Sequence, residues 1–479
     1  MGDMGADGYD AVVVGSGPNG LSAALTLAMT GRKVLVLESQ PTIGGGTRTA
    51  ELTEPGFRHD VCSVVHPTGM ASPAFNSMAL SGHGLRWLVP ELGLSHVFGD
   101  GTALPLYTDL ARSAEFLGRD ARAWSATLGY AAAHSAELLA DFFGPLRIPR
   151  HPLVAARFGP QALMSADVFN RIAFRDPRTR TVFSSIATHV VRPPDAVATA
   201  AVGLLLGMLV HSGGWPLARG GSQAIADALA GRLREFGGHI ETDHPVYKCE
   251  DLPDAPLKFF DVDPRQFAAI MGERLPARYR GRLGRFRFGP GTFKVDYALS
   301  EPIPWSDPHT GSSVTFHIAE NESQIRENEK AVQAGRLPRR PNLIGGTPSV
   351  LDPTRAPDGK HVAWAYCHVP HGCDVDMTTA VEAEIERCAP GFRDVVIARH
   401  TMTAKQYSVY NPNYVGGDIN SGISDLRQQF TRPIAARVPY ATPVPGVYLC
   451  SASTPPGGGV HGMCGKYAAE AAMAQKNSV

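Results

Sequence analysis

YDAVVVGSGPNGLSAALTLAMTGRKVLVLE (residues 9–38) decides the fold. Residues 9–14 form a short apolar run, residues 15–20 a glycine-rich turn, and residues 21–30 an Ala- and Leu-rich helix that Gly31 ends. Residues 33–38 (KVLVLE) then read as a second strand. Strand, turn, helix and strand within about 30 residues form the βαβ unit of a dinucleotide-binding fold. GSGPNG (Gly15, Ser16, Gly17, Pro18, Asn19, Gly20) fits G-x-G-x-x-G. Its first glycine permits the turn, its second lets backbone approach a pyrophosphate, and its third lets helix and strand pack closely. Glu38 ends the second strand, where a carboxylate accepts from a ribose 2′-hydroxyl and repels a 2′-phosphate. A glycine-rich turn that binds nothing does not account for all three features together.

Two further glycine clusters favour FAD over NAD. Gly44, Gly45, Gly46, Thr47 and Arg48 follow Glu38 closely and let the chain pass beside a ligand already on the first turn. Near the C-terminus, PGVYLCSAS (residues 445–453) leads into TPPGGGVHG (residues 454–462) and a helix over about 463–475. That loop can lie against a flat ring, and a helix N-terminus beside a flavin stabilises its anionic reduced form. No second Rossmann fingerprint marks a separate nicotinamide domain.

Composition sets the class. The chain has 479 residues, 43% hydrophobic and 19% charged, with zero formal net charge. That length favours two joined domains, and the charge balance gives no reason to expect nucleic acid. Seven cysteines without a C-x-x-C pair suggest neither a disulfide scaffold nor a redox dithiol. The opening residues carry Asp3, Asp7 and Asp10 and do not read as a signal peptide. The longest apolar stretch, residues 196–210, is shorter than the ~20 residues of a membrane span. A cytoplasmic setting is the expectation.

Residues 73–211 read as mainly helical. Ser222 is the expected cap of a helix with Ile225, Leu229, Leu233 and Phe236 on one face, stopped by Gly237 and Gly238. Strands are expected at 239–242, 257–261, 293–299, 362–369 and 447–452, and an exposed helix and loop at 323–340. The domain reading is FAD-binding residues 1–72, 212–265 and 401–479, interleaved with substrate-domain residues 73–211 and 266–400.

VVVGSGPNGLSAA, the glycine cluster after Glu38, GGWPLARGGSQAIADAL (residues 213–229), NPNYVGGDINSG (residues 411–422) with LRQQFTRP, and PGVYLCSASTPPGGGVHGMCG together resemble the phytoene desaturase-related FAD-dependent oxidoreductases. The similarity covers nearly the whole chain and points to the branch of pyridine nucleotide-disulphide oxidoreductase domain-containing protein 2. It implies an α/β fold: a Rossmann-like FAD-binding domain of the glutathione reductase/amine oxidase type, interleaved with an α+β substrate domain. It places Gly15, Gly17, Pro18, Asn19 and Gly20 at the pyrophosphate, with Ser16 in the same turn. Glu38, followed by Ser39, goes to the adenosine ribose, and Gly45, Gly46, Thr47 and Arg48 run along the cofactor. Val246 goes to the adenine, and Ser453, Gly462 and Met463 to the isoalloxazine. Two departures stand out: Gly46 holds the position where many relatives carry Arg, and the segment after Val246 is short where a β-meander is usual.

The remaining signals are weaker. His368, His371, Cys373, Asp374 and Asp376 fit no closed zinc spacing, so no metal is expected. Residues 196–210 pack in the core by default; the resemblance adds an apolar tunnel wall or a peripheral membrane contact as alternatives. Tyr407, Tyr410 and Tyr414, near Asp418 and Asn420, fit a pocket rim or a core equally well. Tyr414, Asp418 and His461 are the catalytic candidates, and His461 against its bland role as a donor to a backbone carbonyl. The leading reading is hydride transfer from an apolar isoprenoid, carotenoid or lipid-like substrate to flavin N5, with oxygen or a quinone as acceptor. Amine oxidation competes, with Tyr440 and Tyr467 as a candidate aromatic pair. An FAD-bound interaction protein of little redox activity, or a non-redox isomerase, are the other readings.

Overall fold

The computed structural model describes residues 8–144 and 148–476. Asp3 and Asp7 of the acidic leader lie outside the described residues. The strands Ala11–Val14 and Val34–Leu37 are buried at every position, as expected of parallel strands covered on both faces. They sit inside a five-stranded sheet whose order is 447–449, 257–260, 11–14, 34–37, 239–241. All its pairings are parallel, in the register Ala11 with Val34 and Leu257, and Phe259 with Tyr448. Three separated parts of the chain therefore build one sheet.

Side-chain alternation divides that sheet into two faces. Ala11, Val13, Val34, Val36, Leu257 and Phe259 point into one core with residues of the helices Pro18–Ala28, Gln223–Glu235 and Met463–Lys476. Val14, Phe260 and Leu449 point the other way, onto Phe267, Ile270 and Leu283. Pro18 opens the first helix at a position where its missing N–H costs nothing. Gly465 lies so close to Asn19 that the first and last helices pack backbone on backbone.

A seven-stranded sheet of order 396–402, 291–299, 361–369, 343–346, 315–318, 92–97, 103–107 stands beside this unit. Only the pairing of 315–318 with 92–97 is parallel. One of its cores holds Phe293, Val295 and Ile385; another joins Leu94, Leu106 and Ile344 to Trp124, Phe183 and Leu204 of the helical region. The architecture is α/β: a Rossmann-like parallel sheet interleaved with an α+β unit.

One expectation is corrected here. Residues 73–211 are mainly helical, as expected, and also supply Leu92–Val97 and Ala103–Tyr107 to the larger sheet. Ser222 does not cap its helix through its side chain. Its hydroxyl bonds the Ser63 carbonyl and His66 (2.6 and 2.8 Å), and its N–H donates to Asp60 (2.7 Å). The apolar stretch forms the helix Ala200–Ser212, and among the described residues no helix is long and apolar enough to cross a membrane.

Candidate functional site

A cavity of about 430 Å³ runs between the two sheets. Gly15, Ser16, Gly17, Pro18 and Asn19 line it, and so do Ser453, Gly458, Gly459 and Val460. The two ends of the chain thus meet at one cavity. The N-terminal turn is tight for a physical reason. Gly15 has φ +98°, and a Cβ there would stand 3.0 Å from the Asp261 carbonyl. A Cβ on Gly45 would stand 3.1 Å from Gly17, and one on Gly46 would collide with the Tyr414 hydroxyl. Gly17, Pro18 and Asn19 bring the N-terminus of the helix to the cavity. Asn19 Oδ1 is buried there without a partner among the described residues, an orphan that a ligand group can satisfy.

Glu38 and Ser39 also line the cavity. Glu38 Oε2 accepts from the Ser16 N–H and hydroxyl (3.0 and 2.5 Å), and Oε1 accepts from Gln40 N–H (3.0 Å). Arg48 reaches the wall too, but its guanidinium is held by Glu38 (3.2 Å) and the Thr42 carbonyl (2.8 Å). Gly20 and Thr47 sit behind the wall: Gly20 donates to Asp261 Oδ2 (2.8 Å), and Thr47 Oγ1 donates to the Gly44 carbonyl (2.8 Å).

Several expected residues stand elsewhere. Val246 is half-buried among Val12, Leu37 and Leu252, off the cavity wall. Gly462 presses on Ser22 and Phe75, and Met463 belongs to the core beneath the loop. His461 is buried off the wall, packed edge-on against Phe143. Its Nδ1 accepts from Met463 N–H (3.1 Å), and burial pushes its pKa down to about 4. It organises the loop. Asp418 is likewise off the wall: its carboxylate accepts from the N–H groups of Gly289, Asn420 and Gly422 at 2.6, 2.9 and 3.0 Å. Those bonds shape a loop. Tyr414 does line the cavity, with its pKa well above the ordinary phenol because it is buried. Tyr440 and Tyr467 stack at 6.2 Å, but neither faces the cavity.

The sequence reading missed two groups on this wall. Asp261 and Asp263 follow the strand Leu257–Phe260; Asp263 caps the next helix through Arg265 N–H (2.8 Å). Burial, opposed by the Gly20 N–H and reinforced by Glu38, pushes Asp261 up to about 8. Farther along the cavity the wall turns apolar, with Val191, Val202, Leu205, Leu206, Ile344 and Trp364. His189 stands among them. No motif flags it; it lies in a single 3-10 turn after the helix Pro177–Ala187.

Comparison with known proteins adds a second line of argument. A model described as an NAD(P)-binding Rossmann-like domain matches residues 13–79. Pyridine nucleotide-disulfide oxidoreductase domain-containing protein 2 of Rattus norvegicus is 25% identical, over 96% of this chain and 92% of that protein. Phytoene dehydrogenase of Streptomyces griseus is 29% identical, over 81% and 77%. An oxidoreductase from Methanosarcina mazei has a similar solved structure, with TM-score 0.67 at 18% identity over 97% of this chain and 99% of that one.

Proposed function

This chain is an FAD-dependent oxidoreductase related to the phytoene desaturases, and from that premise we propose that it dehydrogenates a long apolar substrate of isoprenoid, carotenoid or lipid-like character. The observation that carries this reading is the apolar stretch of wall beyond the glycine turns, from Val191 through Leu205 and Leu206 to Trp364. Part of it is the helix Ala200–Ser212, so the long apolar run of sequence serves as a cavity wall.

FAD supplies a two-electron acceptor at its ring; the protein supplies position and dryness. The Gly15–Gly20 turn, where Gly15, Gly17 and Gly45 leave no room for side chains, would hold the pyrophosphate. Glu38, already fixed by Ser16, would take the adenosine ribose. Gly46, Ser453, Gly458 and Gly459 on the wall would hold the rest of the cofactor. Apolar walls exclude water, and substrate docks by surface burial at about 25 cal/mol per Å².

Amine oxidation is the weaker reading, because its aromatic pair Tyr440–Tyr467 is turned away from the cavity. The test is anaerobic: phytoene in detergent micelles added to FAD-loaded protein should bleach the oxidised-flavin absorbance, and oxygen or a quinone should restore it. Bleaching by amines with peroxide release, and none by phytoene, squalene or long-chain lipids, rules the apolar reading out.

A further inference from the structure

Dehydrogenation removes a proton as well as a hydride, and the cavity must hold something that takes it. Most titratable groups on the wall are unsuited. Glu38, Arg48, Asp261 and Asp263 stand at the glycine-turn end. Cys62, Tyr366, Tyr410 and Tyr414 all have pKa values raised by burial, so they are neutral donors. His189 is different. It is partly open to the cavity, and its Nε2 lies 3.2 Å from Nε2 of His317. Its Nδ1 has no protein partner among the described residues.

His317 is fully buried on the strand Thr315–Ile318, and its own Nδ1 is buried without a partner among the described residues. Two facing ring nitrogens can share one proton only if at least one ring is unprotonated. With both rings neutral and the His189 Nε2–H donating to His317 Nε2, the nitrogen left bare is His189 Nδ1, and the shared proton holds the His189 ring in place. Trp215 buttresses the ring edge-on at 6.4 Å, while its indole N–H donates to Thr315 (2.9 Å). The Asn420 side chain donates to the His189 carbonyl (3.3 Å).

We propose that His189 is the proton acceptor of the reaction and His317 its positioning residue. This rests on the apolar-dehydrogenase reading above. One substrate C–H leaves as hydride, carrying both bonding electrons to the flavin. The electron pair of the neighbouring C–H becomes the second bond of the new C=C, and its proton goes to Nδ1 of His189. A neighbouring C–H is strongly acidified once hydride departs, so a weak base suffices. Neutrality also matters: an imidazolium in this cavity would oppose the positive charge that develops on the substrate.

The surroundings keep both rings neutral. Burial pushes His189 down to about 4, and the field of His368 acts in the same direction. Burial does the same to His317, helped by His189 and by His96, its register partner on the strand Leu92–Val97. His368, on the strand His361–Val369, is itself bound to Glu329 of the helix Glu322–Gln333 (2.7 Å) and lies beside Tyr366.

Two measurements on the FAD-loaded full chain test this. Diethyl pyrocarbonate reacts with neutral imidazole, and mass spectrometry maps where. Between pH 7.5 and 5.5 an added model imidazole of ordinary pKa near 6.5 should lose about tenfold in modification rate, while His189 should lose almost none. With phytoene, His189→Gln should lower turnover by about 10²- to 10³-fold at unchanged flavin content. His317→Leu should lower it more than tenfold, and His317→Gln, which keeps a hydrogen-bonding group toward His189, should restore most of it. His189→Gln turning over at the wild-type rate, or His189 losing reactivity in step with the model imidazole, overturns the proposal. If wild type leaves phytoene untouched, the substrate reading fails, and the modification profile still decides whether His189 is a neutral, cavity-facing base.

Discussion

Gly17 lies so close to Asp261 that a Cβ there would stand 2.7 Å from Oδ2. The carboxyl is thus part of the cradle in which the cofactor's diphosphate is proposed to lie. Its pKa, raised to about 8 by burial, has a direct consequence. The unfolded chain ionises this group near 3.9, the folded chain near 8, so stability is complete below 4 and falls as pH rises through 8. Asp261→Asn keeps an acceptor for the Gly20 N–H and removes the cost. We expect its advantage in urea denaturation of the flavin-free chain to grow by roughly 2–3 kcal/mol between pH 6 and 8.5. An advantage independent of pH would contradict this. We also expect wild type to lose FAD affinity above pH 8, and the Asn variant to keep it, in fluorescence titrations. Sequence alone marked Gly15 to Gly20 and Glu38, because their chemistry is local and spaced. It passed over Asp261 and His189, whose roles come from residues distant in the chain: Gly20 for the first, His317 for the second.

The two-stranded element Thr49–Ala50 with His59–Asp60 links the parts of the molecule. Asp60 is buried and accepts from Thr49 Oγ1 (2.6 Å), Ser222 N–H (2.7 Å) and Arg355 (2.8 Å). Burial alone would raise its pKa, but Arg355 and the hydrogen bonds outweigh that and hold it low. Lys294 of the larger sheet bonds the Asp60 carbonyl (2.6 Å) and Asp296 (2.6 Å). Removing one partner strands a buried charge, so Arg355→Ala should cost about 3–5 kcal/mol, read as a lower urea midpoint. A loss below about 1 kcal/mol would mean that water reaches Asp60. This element also explains the failed Ser222 cap: the helix N-terminus meets Asp60, and the serine hydroxyl is drawn to His66. The strand Leu92–Val97 escaped notice because LGLSHV has a glycine and few β-branched residues; its neighbours at 315–318 and 103–107 make it a strand. By contrast, KVLVLE was legible because burial on both faces demands an unbroken apolar run.

Across the whole molecule, burial has a common effect on histidines. His59, His66, His96, His189, His211 and His461 are each pushed down to about 4, and His317 is pushed well down too. Folded-state values below the unfolded ones mean full stability above pH 6.5 and loss as pH falls toward 4. We expect Tm to fall steeply over that window, with uptake of roughly six protons on unfolding at pH 5. A flat profile from pH 7 to 4.5 would contradict the burial of these rings. The order of the smaller sheet has a consequence of another kind. Ala11–Val14 leaves the ribosome first, fully apolar, yet one of its two flanking strands, Leu257–Phe260, follows only after residue 256, and the edge strand Val447–Leu449 comes last. Between those events the nascent chain carries an unpaired, sticky strand edge that a chaperone can shield, so yield in a cell should track holdase supply more than the equilibrium strength of the finished protein.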